Sequence, residues 1–266
     1  MLKDITIGQY LPGNSVIHRL DPRTKILLII AFLIVLFTVG SFVGYAALAL
    51  FIFAVNRTAN VPFKMLVKSL KPLLFFIVFT AVINLFLTRG EPIFKWGIIT
   101  ITKEGVRLTI TMSLRLIFLV IGTSILTYTT SPIVLTDGIE SLFRPLSKIG
   151  FPAHEIAMMM TIAIRFIPTI IDETDKIMKA QSARGSDFES GSLIHRAKAL
   201  IPILVPLFIS AFRRADDLAT AMECRCYRGG EGRTKLKAIK MKKIDALAFL
   251  VTALVFAAVI AMNFVM

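Results

Sequence analysis

The sequence predicts an all-α integral membrane protein of about five transmembrane helices, with a set of long amphipathic helices on the cytosolic side. Three observations predict this. The 266 residues are 56% hydrophobic, with a mean hydropathy of +0.76, which exceeds the roughly 45–50% apolar content of a soluble domain. Uncharged apolar runs of about spanning length recur along the chain. The formal charge of +14, from 31 Lys+Arg against 17 Asp+Glu, gathers at the ends of those runs as the positive-inside rule leaves it. The excess of base is therefore read as topology, and nucleic-acid binding is not expected.

The first 131 residues read as an N-terminal membrane domain with spans near 24–40, 41–56, 72–88 and 106–129. The first twenty residues contain Asp4, Pro12, Gly13, Asn14 and Arg19, so no cleavable signal is expected and the first span inserts uncleaved. Asp21 caps that span and Pro22 opens its first turn. Residues 26–56 hold no charge over 31 positions, against about 20 for one span, so the stretch is either one long tilted span or two short ones. Arg19, Arg23 and Lys25 precede the stretch and Arg57, Lys64, Lys68 and Lys71 follow it. A hairpin turning near Gly40-Ser41 keeps both groups inside. The run from Pro72 to Thr88 then leads to an outer loop with Arg89, Glu91, Lys95, Lys103, Glu104 and Arg107, where Phe94 and Trp96 suit either an interfacial belt or simple packing. Leu108 to Tyr128 returns inward. Arg115 lies within it, and a charge at that depth is expected to snorkel or to pair with a buried polar group rather than line a transport path.

Residues 132–243 hold 18 of the 31 basic and 12 of the 17 acidic residues. The apolar runs here are interrupted by Arg165, Pro168, Pro202 and Pro206 and pass directly into charged sequence, which suits amphipathic helices along or below the membrane. Three are expected, near 133–149, 153–185 and 192–227. In the second, Asp172–Lys176 and Asp175–Lys179 place an acid four residues before a base, the favourable order on a helix. Helices of this size extend about 50 Å. A last apolar run, 244–266, follows Lys235, Lys237, Lys240, Lys242 and Lys243, so five spans place the N-terminus inside and the C-terminus outside.

Each of the two longest amphipathic segments ends on an arginine between small residues: Ala183-Arg184-Gly185 and Cys224-Arg225-Cys226. Arg at a helix C-terminus complements the dipole, and its planar fork holds two carboxylate oxygens. Gly185 permits a left-handed ending. Cys224 and Cys226, the chain's two cysteines, are too close for a structural disulfide and lack zinc partners, so they read as small packing residues. His18, His154 and His195 are read as structural, and Arg228, Arg233 and the 235–243 lysines as a lipid-facing patch. Met158, Met159, Met160, Met178 and Met222 suit either core filling or an adaptable docking face.

His18-Arg19-Leu20-Asp21-Pro22-Arg23-Thr24-Lys25, with the two arginine motifs and the layout of spans, resembles the transmembrane T component of energy-coupling factor transporters, the EcfT/CbiQ family. The family's arginine motif is Ala-Arg-Gly, at the end of each of two cytosolic coupling helices. Residues 183–185 match it fully, and residues 224–226 depart from it by their two cysteines.

The resemblance implies a coupling module at 132–243 that docks two ABC ATPase subunits through Ala183, Arg184, Gly185, Cys224, Arg225 and Cys226. It also implies a membrane S component that binds substrate, and ATP-driven uptake of vitamins or other micronutrients such as a transition-metal ion. No cofactor, metal site or catalytic residue belongs to the expected role, and no Gly-x-x-x-x-Gly-Lys-Ser/Thr loop occurs. A substrate-translocating permease of another ABC importer or a secondary carrier is the competing reading; it would need intramembrane polar sites beyond Arg115 and Asn84. A membrane enzyme would need clustered His, Asp or Glu, whereas the acids here are scattered.

Overall fold

The computed structural model describes residues 10–96, 99–186, 188, 192, 194, 198–229 and 241–265. These divide into two units, one up to Gly138 joined by the C-terminal stretch from Met241, the other from Ile139 to Gly229.

The first unit is a bundle of apolar helices. Asp21 caps α1 (Pro22–Thr38), its carboxylate accepting from the Arg23 N–H at 2.9 Å, with Pro22 in the first turn. Ser41 caps α2 (Phe42–Ala59) by accepting from the Gly44 N–H at 3.2 Å. The hairpin turn thus falls at Val39–Ser41, where α1 ends at an extended Val39 and Ser41 caps the start of α2. α2 ends at Asn60 in the left-handed region, φ 55°. α3 (Phe63–Leu70) passes through a 3₁₀ turn at Lys71–Leu73 into α4 (Leu74–Leu87). The helical run therefore starts nine residues before the expected boundary at 72. Lys64, Lys68 and Lys71 end the apolar run without ending the helix, because charges sit freely on the polar face of an amphipathic turn. Pro72 is absorbed in the 3₁₀ turn.

The connection to α5 is a two-stranded antiparallel hairpin, β1 (Pro92–Trp96) with β2 (Ile99–Thr102), which apolar-run counting does not reveal. Its Ile and Thr residues favour strand. The side chains of Phe94 and Trp96, and with them the interfacial-belt reading, lie outside what is described. Thr102 ends the hairpin and caps α5 (Lys103–Thr129), accepting from the Gly105 N–H at 3.1 Å. The unit closes with α9 (Lys243–Val265).

Buried residues Phe32, Leu36, Tyr45, Leu48, Leu66, Phe118, Ile125 and Val259 form one core drawn from α1, α2, α3, α5 and α9. Gly122 lets α1 and α5 approach: a Cβ there would sit 2.5 Å from Phe32 Cε1.

Polar contacts fix the helix directions. The Asp21 N–H donates to Asp245 at 2.8 Å at one end of α1 and α9, while the Gly40 and Ser41 N–H groups donate to Asn263 at 3.0 and 3.1 Å at the other. The two helices therefore run parallel. Lys25 Nζ donates to the Thr129 carbonyl at 2.9 Å, and Arg115 donates to the Val39 carbonyl at 3.2 Å, so α5 runs opposite to α1. Tyr128 bonds the Met65 carbonyl at 3.2 Å and Thr102 bonds the Thr88 carbonyl at 2.9 Å, which sets α3–α4 against α5.

Among the described residues, five helices are long and apolar enough to cross a membrane: α2, the α3–α4 run Phe63–Leu87, α5, α7 (Ala153–Ala183) and α9. α7 stands there in place of the expected first span. At 17 residues α1 is a little shorter, about 25 Å long. Its tie to α9 at both ends makes it traverse the same depth as a helix of spanning length, so α1 is read as a span. α7 owes its place to an apolar first half, Ile156–Ile164 above all, and its second half is charged.

α6 (Pro132–Phe143) begins in the first unit and continues into the second, where it leads into a 3₁₀ turn at Arg144–Ile149, since Pro145 cannot donate the next α-helical bond. The expected helix near 133–149 is thus split. α7 runs through Pro168, and α8 (Ile201–Cys224) through Pro206. Of the expected helix near 192–227, residues 193 and 195–197 lie outside the described residues, as do His195, Arg233 and the lysines at 235, 237 and 240.

Candidate functional site

α7 and α8 pack against each other in opposite directions. Gln181 Nε2, near the end of α7, donates to the Pro202 carbonyl at the start of α8 at 3.4 Å. Farther along, Glu173 accepts from the Ser210 hydroxyl and from Arg214 Nη2 at 2.6 Å. Beyond that, Phe166 and Ile162 face Leu218 and Met222 across a cleft of about 280 Å³. The two arginine motifs consequently lie at opposite ends of the pair. α8 has 24 residues, which at 1.5 Å per residue puts Arg184 and Arg225 about 36 Å apart.

The two helix ends share one hydrogen-bond pattern. At the end of α7, the Ser186 N–H donates to the Gln181 carbonyl at 3.0 Å and the Gly185 N–H to the Ser182 carbonyl at 3.0 Å, with Gly185 at φ +92°. At the end of α8, the Tyr227 N–H donates to Met222 at 3.0 Å and the Cys226 N–H to Glu223 at 2.8 Å, with Cys226 at φ 56°. Both are Schellman endings, with Arg184 and Arg225 at the same position, the C-cap. Cys226 adopts the left-handed conformation that Gly185 adopts freely, at the backbone cost of a residue with a Cβ. The cysteines therefore leave the helix ending intact.

Ala183, Arg184, Gly185, Cys224, Arg225 and Cys226 are all exposed, and both thiols are free. Neither guanidinium makes an ion pair with a described residue. The six residues thus form two separate exposed points, each a positive charge on the negative end of a helix dipole. Among the described residues no group of His, Cys, Asp or Glu is arranged to hold a metal ion.

Several residues that organise these helices were not singled out by sequence. Glu173 bridges α7 to Ser210 and Arg214 of α8, whereas the pairs Asp172–Lys176 and Asp175–Lys179 do not close within 4.0 Å. Exposed helix pairs are worth little, so the cross-helix contact wins. Asp245 and Asn263 lie in the last apolar run and tie α9 to both ends of α1. The signal was present, because a polar residue in an apolar span requires a partner. Lys25, read from the sequence as a topological charge and as the end of the 18–25 motif, is buried, bonded to the Thr129 carbonyl and to Thr130 Oγ1 at 3.0 Å. With His18, which meets Ser15 at 2.7 Å and the Leu11 carbonyl at 3.0 Å, and with the Asp21 cap, it makes residues 18–25 a clasp among α1, α5 and α9. Arg115 pairs with the orphan carbonyl at the end of α1 and lies 5.5 Å from the Phe37 ring centroid, the structural pairing expected of it. His154 meets Glu140 at 3.0 Å. Met159 and Met160 are exposed, while Met222 lines the α7–α8 cleft.

Residues 13–236 match the family model CbiQ, described as a cobalt transport protein. The chain belongs to the EcfT/CbiQ family. It is 59% identical over 253 residues to the energy-coupling factor transporter transmembrane protein EcfT of Thermosediminibacter oceani, covering 95% of this chain and 96% of that protein. The protein of the same name from Ruminiclostridium cellulolyticum is 55% identical over 265 residues, 100% of this chain and 99% of that protein. That of Bacillus subtilis is 49% identical over 238 residues, 89% and 90%. As a member of the EcfT/CbiQ family the chain is a multi-pass membrane protein, the energy-coupling transmembrane component of an energy-coupling factor transporter. Its relatives carry the name of a transporter membrane subunit, not of an enzyme.

Proposed function

We propose that this chain joins two ABC ATPase subunits to a substrate-binding S component, each ATPase gripping one arginine-capped helix end. The observation that carries this reading is the pair of matching Schellman endings, which expose Arg184 and Arg225 at opposite ends of the antiparallel α7–α8 pair. Two points about 36 Å apart suit two separate subunits. ATP hydrolysis belongs to those partners, and their closure would load the two ends of the helix pair at once. The S component carries the substrate, a vitamin or another micronutrient; the family's cobalt description makes a transition-metal ion one such cargo.

The orientation follows from charge. One end of the bundle carries Arg19, Arg23, Lys25, Arg57, Lys64, Lys68, Lys71, Lys242 and Lys243, and the other carries Arg89, Lys95, Lys103 and Arg107 diluted by Glu91 and Glu104. The basic end faces the cytoplasm, together with the N-terminus and the 132–243 coupling helices, and the C-terminus lies outside.

The test is co-purification of both ATPases with the tagged chain. Both guanidiniums are exposed and make no ion pair with a described residue, so Arg184→Ala and Arg225→Ala should shift folding stability by no more than about 0.5 kcal/mol. Each loses an interface anchor of about 2 kcal/mol or more, roughly thirtyfold in affinity. The double variant should insert normally and capture neither ATPase; full retention of both would overturn the assignment.

A further inference from the structure

Beside the α3–α4 junction the first unit has an open cavity of about 700 Å³ in which lysine, serine, threonine and tyrosine groups sit among apolar surface. Lys68 and Lys71 line one wall; Thr123, Ser124 and Thr127 of α5 line the other, with Ser69 between. The lysines stand three residues apart, on one face of the helical run. No acidic side chain lines the cavity, and no ion pair among the described residues neutralises either lysine. Ser69 Oγ and the Tyr128 hydroxyl, 2.6 Å apart, join the two walls. Thr123 and Thr127 donate to the carbonyls of Leu119 and Thr123, at 2.8 and 3.2 Å, so their oxygens keep lone pairs that accept from a ligand hydroxyl.

We propose that this cavity binds the headgroup of an anionic glycerophospholipid, its phosphate between Lys68 and Lys71 and its hydroxyls against the α5 threonines. Depth selects a lipid over a free anion. α4 begins at Leu74 and carries no charge through Leu87, so Lys71 and Pro72 mark the edge of the hydrocarbon layer. Basic pockets between spans at that level bind anionic headgroups. The next residues, Leu74, Phe75 and Phe76, are exposed and offer apolar surface for the acyl chains beside the headgroup.

The experiment is thermal unfolding and native mass spectrometry of the purified full-length chain with phosphatidylglycerol, phosphatidylcholine or sodium phosphate. Phosphatidylglycerol should be retained and raise the unfolding temperature, with phosphatidylcholine and phosphate having little effect. Lys68→Gln with Lys71→Gln should weaken phosphatidylglycerol binding roughly thirtyfold, and each single change roughly fivefold; Lys179→Gln, an exposed lysine of α7 outside the cavity, should leave it unchanged. The single variants carry the test if the double variant does not fold. Equal binding of the two lipids, or equal loss in the Lys179→Gln control, would overturn the proposal. Stabilisation by phosphate alone at the same site would replace the lipid by a free anion and overturn it equally.

Discussion

The two Schellman endings predict opposite outcomes for two small substitutions. At Gly185, φ +92°, a Cβ would meet no atom within 4 Å. Gly185→Ala therefore costs only the backbone penalty of a left-handed residue, about 1–2 kcal/mol. At Cys226, φ 56°, that penalty is already present, and Cys226→Gly relieves about 1 kcal/mol of it, less the extra entropy that glycine gains on unfolding. For a chain of this size one kcal/mol corresponds to about 2–4 °C. Thermal unfolding of the purified chain, followed by helical circular dichroism, should show Gly185→Ala melting lower and Cys226→Gly melting level or slightly higher. Cys226→Pro is the negative control. Proline has φ near −65° and no N–H, so the bond to the Glu223 carbonyl is lost. The α8 ending should then fray, and ATPase capture through Arg225 should fall while Arg184 still binds. If Cys226→Gly destabilises as much as Gly185→Ala, the two endings are not equivalent and the shared-geometry reasoning fails.

Two further outcomes concern the membrane unit. Asp245 is buried and accepts from the N–H groups of Asp21 at 2.8 Å and Lys242 at 2.7 Å. Asp245→Ala leaves both of these N–H groups without their acceptor, so it should cost about 2–4 kcal/mol and lower the yield of folded protein, with Asp245→Asn milder; an unchanged melting curve for Asp245→Ala would refute the clasp. Arg115→Met removes the bond to the Val39 carbonyl and should lower stability by about 1–2 kcal/mol while transport per folded complex is kept. Selective loss of transport at full stability would instead assign Arg115 to the transport path.

Much of this was legible because the physics is local. Uncharged runs, capping residues and basic clusters depend on neighbours in sequence, and the starts of α1 and α2 follow from Asp21, Pro22 and Ser41. Arg184 and Arg225 were legible through composition at a helix end, since a Schellman ending is also a local device. Tertiary choices were less visible. Glu173 looks like one more acid beside Asp172 and Asp175, and only the antiparallel approach of α8 brings Ser210 and Arg214 to it. The α3 helix was hidden because Lys64 and Lys68 resemble a loop boundary when apolar runs alone are counted. The hairpin after α4 was hidden because two strands of four or five residues leave almost no periodicity to read.

Antiparallel packing decides what the proposed docking can do mechanically. Forces applied at two C-terminal ends of parallel helices would act at one place and pull the pair as a whole. Here the same two forces act about 36 Å apart, so opposed displacements of the two ATPases become a rotation of α7 against α8. Among the described residues, few polar contacts resist that rotation. Glu173 with Arg214 and Ser210 is a polar clamp near the middle of α8, and Gln181 with Pro202 makes a weaker contact at one end. Elsewhere the cleft is lined by Ile162, Phe166, Leu218 and Met222; such side chains repack with little directional preference. A clamp flanked by adaptable contacts behaves as a pivot. Glu173 is therefore the position where a conservative change to Gln would separate coupling from docking, because it weakens the charged bond to Arg214 and leaves both helix endings untouched.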